Sequence, residues 1–219
     1  MSRSSRRWFL QSKKSPKHQV YTLTSSKSGK TLQLSSDDIS RIDGTWSPLV
    51  DKPKAACQIF EKILKACPEI GRPFSGTEAN ADWRETLQSE IMNNHLQNFA
   101  QFLTFLIDCL IKQDDKGFLE AIQKAGRTHG TVPNLTFTAE KWLIFKSAII
   151  QVVCDGDDPK DCYVQSWTKL LAFVISEMKN SYCCTVRRNL SVNEDDETEE
   201  SGASGSQYRQ KSASVGNIV

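Results

Sequence analysis

Between residues 36 and 180 the apolar positions recur every three to four residues, the spacing of one face of an α-helix, in six successive runs. Ile39, Ile42 and Trp46 carry the first, which Ser36 and Asp37 can cap and which continues through Leu49 and Val50 to about Asp51. Pro53 is barred from a helix interior but suits a first turn, so a second helix begins there with Cys57, Phe60, Ile63, Leu64 and Cys67. Pro68 turns the chain, and Pro73 with Ser75-Gly76-Thr77 marks an irregular corner around Phe74. The longest run is Leu87, Ile91, His95, Phe99, Phe102, Leu103, Leu106 and Leu110. Asp114 and Asp115 cap a fourth, bearing Phe118, Ile122, Ala125 and His129, with Gly130 as its stop. Trp142, Phe145, Ile149 and Val152 form a fifth. The last starts at Asp158-Pro159 with Asp161 in its first turn and presents Tyr163, Trp167, Leu170, Leu171, Val174 and Met178. No strand alternation or hairpin turn of comparable strength interrupts them. The fold class expected is all-α.

The ends read differently. Residues 1–30 hold eight Lys and Arg and no acid, with alternation only at Val20-Tyr21-Thr22-Leu23. Six acids fall within 193–200, followed by a Gly- and Ser-rich stretch. Segments with so little apolar surface cannot offset the entropy of ordering. The expected organisation is therefore a basic unstructured extension over 1–34, one folded domain over 35–182 and an unstructured tail over 183–219. The total of 219 residues suits a single domain.

Several function classes drop out on composition. No apolar run is long enough to span a membrane, and Trp8-Phe9-Leu10 is too short for the centre of a secretory signal. Ser2 stands where N-myristoylation requires Gly. Seven cysteines cannot all pair with one another, none forms a C-x-x-C, and three histidines leave no zinc-finger spacing, so reduced thiols in the cytoplasm are expected. A net charge of +2 with oppositely charged ends argues for tails rather than a nucleic-acid-binding core. Cys183-Cys184 precedes Arg187-Arg188, so peripheral membrane contact is expected only if those thiols are acylated. Ser191 lies in a basic context that suits kinases, and Asp155-Gly-Asp-Asp lacks the spacing and final Glu of a calcium loop.

The chemistry sits on two of the apolar stripes. His95 and His129 each fall among aromatic and aliphatic positions, where an imidazole nitrogen left without a partner costs free energy on the kcal/mol scale. A single such histidine reads as a core residue bonded to a backbone carbonyl. Two of them suit iron held in a flat apolar macrocycle, which satisfies both the nitrogens and the apolar surroundings.

These residues resemble the globins, and more closely the divergent nematode and neuroglobin-like branch. The resemblance rests on Trp46 in the first helix, on Cys67-Pro-Glu-Ile-Gly-Arg-Pro-Phe74, on the spacing from Phe74 to His95, on Ala125-Gly-Arg-Thr-His-Gly130 and on the run Trp167–Lys179. It covers roughly 36–181 and implies a globin fold of six to eight helices around haem b. It further implies His129 as the proximal iron ligand, His95 as the distal residue and Phe74 against the haem. Phe60 and Phe99 fall in the distal pocket, and Val132 follows the proximal histidine. Departures are a longer separation of His95 from His129 and a shorter turn from His129 to Val132-Pro133. Arg72, Arg84 and Arg127 are candidates for haem propionate contacts.

The function implied is binding of O₂, CO or NO at a histidine-ligated iron. Closure of the sixth site by His95 itself favours redox cycling or gas sensing, with an electron-transfer or signalling protein as partner. An open sixth site, with His95 as the only hydrogen-bond donor for bound O₂, favours a carrier or store. A haem enzyme acting on nitrite, NO or superoxide would need a separate reductase, since no G-x-G-x-x-G fingerprint is present. A haem-free interaction module is the remaining class. Oligomeric state is left open.

Overall fold

A computed structural model describes residues 19–74, 82–133, 135–154 and 161–197, the stretch 192–197 as backbone alone. The described chain opens with an antiparallel hairpin, β1 (Val20–Thr24) and β2 (Thr31–Ser35), in which Tyr21 lies opposite Leu34 and Leu23 opposite Leu32. These four side chains are buried on one face while Thr22, Thr24, Thr31 and Gln33 face outward, the period-two pattern of a half-buried strand pair. The turn closes through Ser25 and Lys30, with Gly29 in the left-handed region at φ 66° that glycine reaches without strain.

The hairpin corrects the expectation of an unstructured 1–34 over residues 20–34. Its stability comes from distant partners rather than from local composition. The Tyr21 hydroxyl donates to Asp115 at 2.6 Å and the Ser25 hydroxyl to Glu177 at 2.7 Å, while Ser28 donates to the same carboxylate. Residues 1–18, with the basic arm and Trp8-Phe9-Leu10, lie outside the described residues.

Seven α-helices follow among the described residues. Ser35 caps α1 (Ser36–Trp46) through a reciprocal pair of bonds with Asp38. The helix stops at Trp46, leaving Val50 fully exposed rather than on its apolar face. Asp51 caps α2 (Lys52–Ala66), with Pro53 in the first turn as expected. A 3₁₀ segment, Pro68–Phe74, makes the corner. The long run is divided: α3 (Trp83–Gln88) ends at Ser89, whose extended backbone and side-chain oxygen cap α4 (Glu90–Lys112). Asp114 caps α5 (Asp115–His129), and Thr138 caps α6 (Ala139–Val153). The start signal at Asp158-Pro159, the Asp155 loop and the Ser75 corner lie outside the described residues; α7 is described from Asp161 to Glu197.

The last helix also departs from expectation, since residues 183–197 continue it instead of forming a tail. No Gly or Pro occurs between Asp161 and Glu197 to stop it. Its path past Ser181 is held by contact of Thr185 with Gly130 and by Asn189 donating to the Gly130 carbonyl at 3.5 Å. Gly130 has φ −70°, so it serves close packing rather than a left-handed helix stop. The rest of the expected tail, 198–219, lies outside the described residues.

The helices pack as two layers, with α5 against α7 and α2 against both α4 and α6. Two adjacent residues of α1 tie the layers together. The Trp46 indole donates to Thr104 of α4 at 3.0 Å, and the Trp167 indole of α7 donates to Thr45 at 2.8 Å. Both tryptophans are fully buried, and each satisfies its one N–H, as buried indoles usually do. Asp38 is buried beside Lys169, Ser166 and Ser35. Burial alone would raise its carboxyl, but the Lys169, Ser166 and Ser35 bonds outweigh it and hold the group well below the ordinary carboxylate range. No described helix is long and apolar enough to cross a membrane.

Candidate functional site

Where the two layers fail to meet, they enclose a cavity of about 460 Å³, within the range of small-molecule sites. Four of its walls follow from the helix pattern. α2 contributes Phe60, α4 contributes His95 and Phe99, α5 ends on His129, and α6 contributes Trp142 and Phe145. The 3₁₀ corner adds Phe74, and the loop after α5 adds Val132 and Phe137. All six residues singled out by the sequence (Phe60, Phe74, His95, Phe99, His129 and Val132) therefore line one cavity. Ala125 and, from α7, Met178 complete the lining on the His129 side.

Aromatic packing sets the shape of one wall. Phe60 meets His95 edge-on at 5.2 Å between ring centres and Phe99 at 5.4 Å, and Phe74 lies 5.0 Å from His95. Phe99 in turn meets Phe145 at 5.8 Å, and Phe137 lies 5.8 Å from His129 and stacks on Trp142 at 4.5 Å. The rings of His95 and His129 lie opposite one another with centres 6.1 Å apart.

The two imidazoles differ in what holds them. His129 Nδ1 lies 2.7 Å from the Ala125 carbonyl one turn back; that oxygen can only accept, so Nδ1 carries the proton. The lone pair is then on Nε2, the nitrogen left to face the cavity. His95 Nδ1 is buried without a hydrogen-bond partner. Burial lowers the pKa of both rings, taking His95 to about 4 with His129 adding a smaller push, while the Ala125 carbonyl partly opposes the fall at His129. At neutral pH both are uncharged bases, the form in which imidazole binds a metal.

A largely apolar pocket with two neutral imidazoles opposed across it, one of them with a buried nitrogen lacking a partner, fits a flat apolar group carrying a metal. The same donors do not fit a bare ion, and no group of three His, Cys, Asp or Glu suited to one occurs among the described residues.

The propionate candidates are not brought to the site. Arg72, Arg84 and Arg127 do not line the cavity, and Arg84 instead pairs with Asp82 and lies over the Trp83 ring. The basic residue that does line it is Lys141, which the sequence reading missed. It precedes Trp142 in the first turn of α6, and a lysine there reads as solvated.

A helical domain with one β-hairpin thus closes an apolar cavity between two facing histidines. Comparison with solved structures gives it a name: the chain has the globin fold. It is similar to the globin-like protein Glb-12 from C. elegans, with TM-score 0.58 and 20% identity over 70% of this chain and 91% of that one. It is also similar to hemoglobin component V from Propsilocerus akamusi (TM-score 0.57, 15% identity, 71% and 96% covered). The hemoglobin of the botfly Gasterophilus intestinalis gives TM-score 0.57 and 16% identity over 68% and 99%. No protein-family model and no curated protein matches the sequence.

Proposed function

We propose that the protein binds haem b without covalent attachment, His129 being the permanent axial ligand and His95 the opposing one, and that it works in redox or gas sensing rather than oxygen storage. The observation that carries this reading is the facing histidine pair. A metal–imidazole bond is about 2 Å long, so two imidazoles on opposite sides of one metal have ring centres a little over 6 Å apart, close to the 6.1 Å found. The globin fold of the neighbours supports the haem itself, and the lack of a C-x-x-C-H sequence supports non-covalent binding.

Haem supplies an iron that exchanges one electron and binds diatomic gases at a free axial position. The chain's own residues decide which of these prevails. The Ala125 carbonyl fixes the His129 tautomer and ring direction, as outer-shell acceptors do for metal-bound histidines. Phe60, Phe74 and Phe99 line that side with apolar rings, and Phe60 and Phe74 pack directly on His95. With His95 holding the iron, a gas would compete with an internal side chain for it, which would suit a sensor better than a store.

The visible spectrum of the dithionite-reduced protein, before and after CO and beside His95→Ala, tests this. The expected result is a sharply split visible band without added ligand that His95→Ala removes. A broad band converting readily with CO would instead mean an open sixth site and reversible O₂ binding. No Soret band after haem reconstitution would overturn haem binding altogether.

A further inference from the structure

Lys141 is the one lysine or arginine among the described residues lining the cavity, and its place there is unusual. Its side chain is only 12% exposed and its ammonium is fully engaged: Glu69 Oε1 accepts at 2.8 Å, the Thr136 carbonyl at 3.1 Å and the Thr136 hydroxyl at 3.3 Å. Glu69 belongs to the 3₁₀ corner that also carries Phe74, and its own side chain is half exposed. The pair thus straps that corner to α6 where the apolar cavity meets solvent. The Lys141 ammonium also keeps the Glu69 carboxyl below its usual range, so the partner is a carboxylate at neutral pH.

A lysine at the edge of an otherwise apolar cavity also offers a charge partner to any occupant that brings an anion. A lysine ammonium already held against one carboxylate forms a site that a second carboxylate can enter by replacing Glu69. Haem carries two carboxylates on one edge.

We propose that Lys141 anchors an anionic edge of the cavity's occupant and that Glu69 is a built-in stand-in, displaced when the occupant's carboxylate arrives. This rests on the haem reading above and assigns that site its charge-reading residue. The exchange leaves Lys141 with one carboxylate partner before and after, so little net desolvation is needed at the step. Displacement also frees the Phe74-bearing corner from α6, which links filling of the site to mobility at Pro68–Phe74.

The test compares haemin with haemin dimethyl ester, in the full-length chain and in Lys141→Met and Glu69→Gln, reading haemin release by the Soret band. Lys141→Met is expected to release haemin about tenfold faster, as befits loss of a charge-assisted bond, while ester release stays within about twofold. Glu69→Gln should hold haemin several-fold more tightly, because an internal competitor is gone. In the cofactor-free protein the same variant should melt about 1–3 °C lower, because a half-exposed ion pair is lost. Equal effects of Lys141→Met on both forms, or weaker haemin binding in Glu69→Gln, would reduce the pair to a structural strap and overturn the proposal. A Soret band that forms without any carboxylate dependence removes this proposal only. Failure of both haemin and its ester to give a band in the unmodified protein removes the haem reading and this proposal together.

Discussion

The two sides of the cavity are built by different means. On the His129 side the backbone itself is locked. A Cβ on Gly126 would come within 2.5 Å of the Met178 carbonyl and 2.8 Å of Ser181 Cβ, and one on Gly130 within 2.8 Å of Thr185 Cβ. Two glycines thus let α5 lie directly on α7, and the Ala125 carbonyl then sets the ring of the histidine between them. The hairpin clamps the same pair of helices from outside, through Tyr21 on Asp115 and Ser25 on Glu177. On the His95 side no hydrogen bond fixes Nδ1; two phenylalanines, Phe60 and Phe74, hold the ring by contact. One histidine is rigid by construction, and the other is held only as firmly as aromatic packing allows.

Breaking the rigid side should cost most. Gly126→Ala puts a methyl against backbone that cannot give way, and by the usual cost of overpacking about 3 kcal/mol of stability should be lost. Chemical denaturation measures it, and haem reconstitution should fall in parallel. An unchanged denaturation midpoint would show that α5 is not locked.

The soft side is sharpened by pH. His95 is lowered from 6.5 to about 4 in the folded, cofactor-free protein, so below pH 6.5 the unfolded chain takes up a proton that the folded one refuses. Stability from this group is fully present above pH 6.5 and declines as pH falls towards 4. The 6.5-to-4 difference amounts to on the order of 3 kcal/mol. His95→Leu should flatten that slope and raise neutral-pH stability by about 1 kcal/mol, since an orphaned buried nitrogen disappears. Urea midpoints of both proteins across this range decide it; parallel curves would mean that His95 is not the group concerned.

The clamp should give the smallest change. Ser25→Ala takes one hydroxyl from the fully buried Glu177 carboxylate, leaving Ser28 to serve it, at about 1–2 kcal/mol. Amide exchange of the hairpin should quicken while α4 stays unchanged. Uniform loss of protection over the whole chain would show that the hairpin is not a separate clamp.

How much of this was legible in the sequence depended on how local each cause is. Asp51 with Pro53, and Asp114 with its apolar face, announce their helices because capping and φ restriction act within a few residues. The six cavity residues were legible through the helical stripes that carry the two histidines and the spacings that resemble the globins. The hairpin was not, although Thr31-Leu-Gln-Leu-Ser alternates as Val20-Tyr-Thr-Leu-Thr does around a Ser-Gly turn, a signal that could have found it. What makes it stable is contact with Asp115 and Glu177, far along the chain. The prolongation of α7 was hidden for the same reason, since an acid-rich stretch reads as a tail until Thr185 and Asn189 meet Gly130. Lys141 was missed because its partner Glu69 lies on another element.

The bond from Ser25 to Glu177 joins residues 152 positions apart. During synthesis the hairpin emerges before every described helix, yet the carboxylate that receives its turn belongs to α7, the last of them to be made. Closing so long a loop is slow relative to local helix formation. A segment that leaves the ribosome early is therefore late to find its seat, and until then its apolar face of Tyr21, Leu23, Leu32 and Leu34 stays open to chaperones or to neighbouring chains.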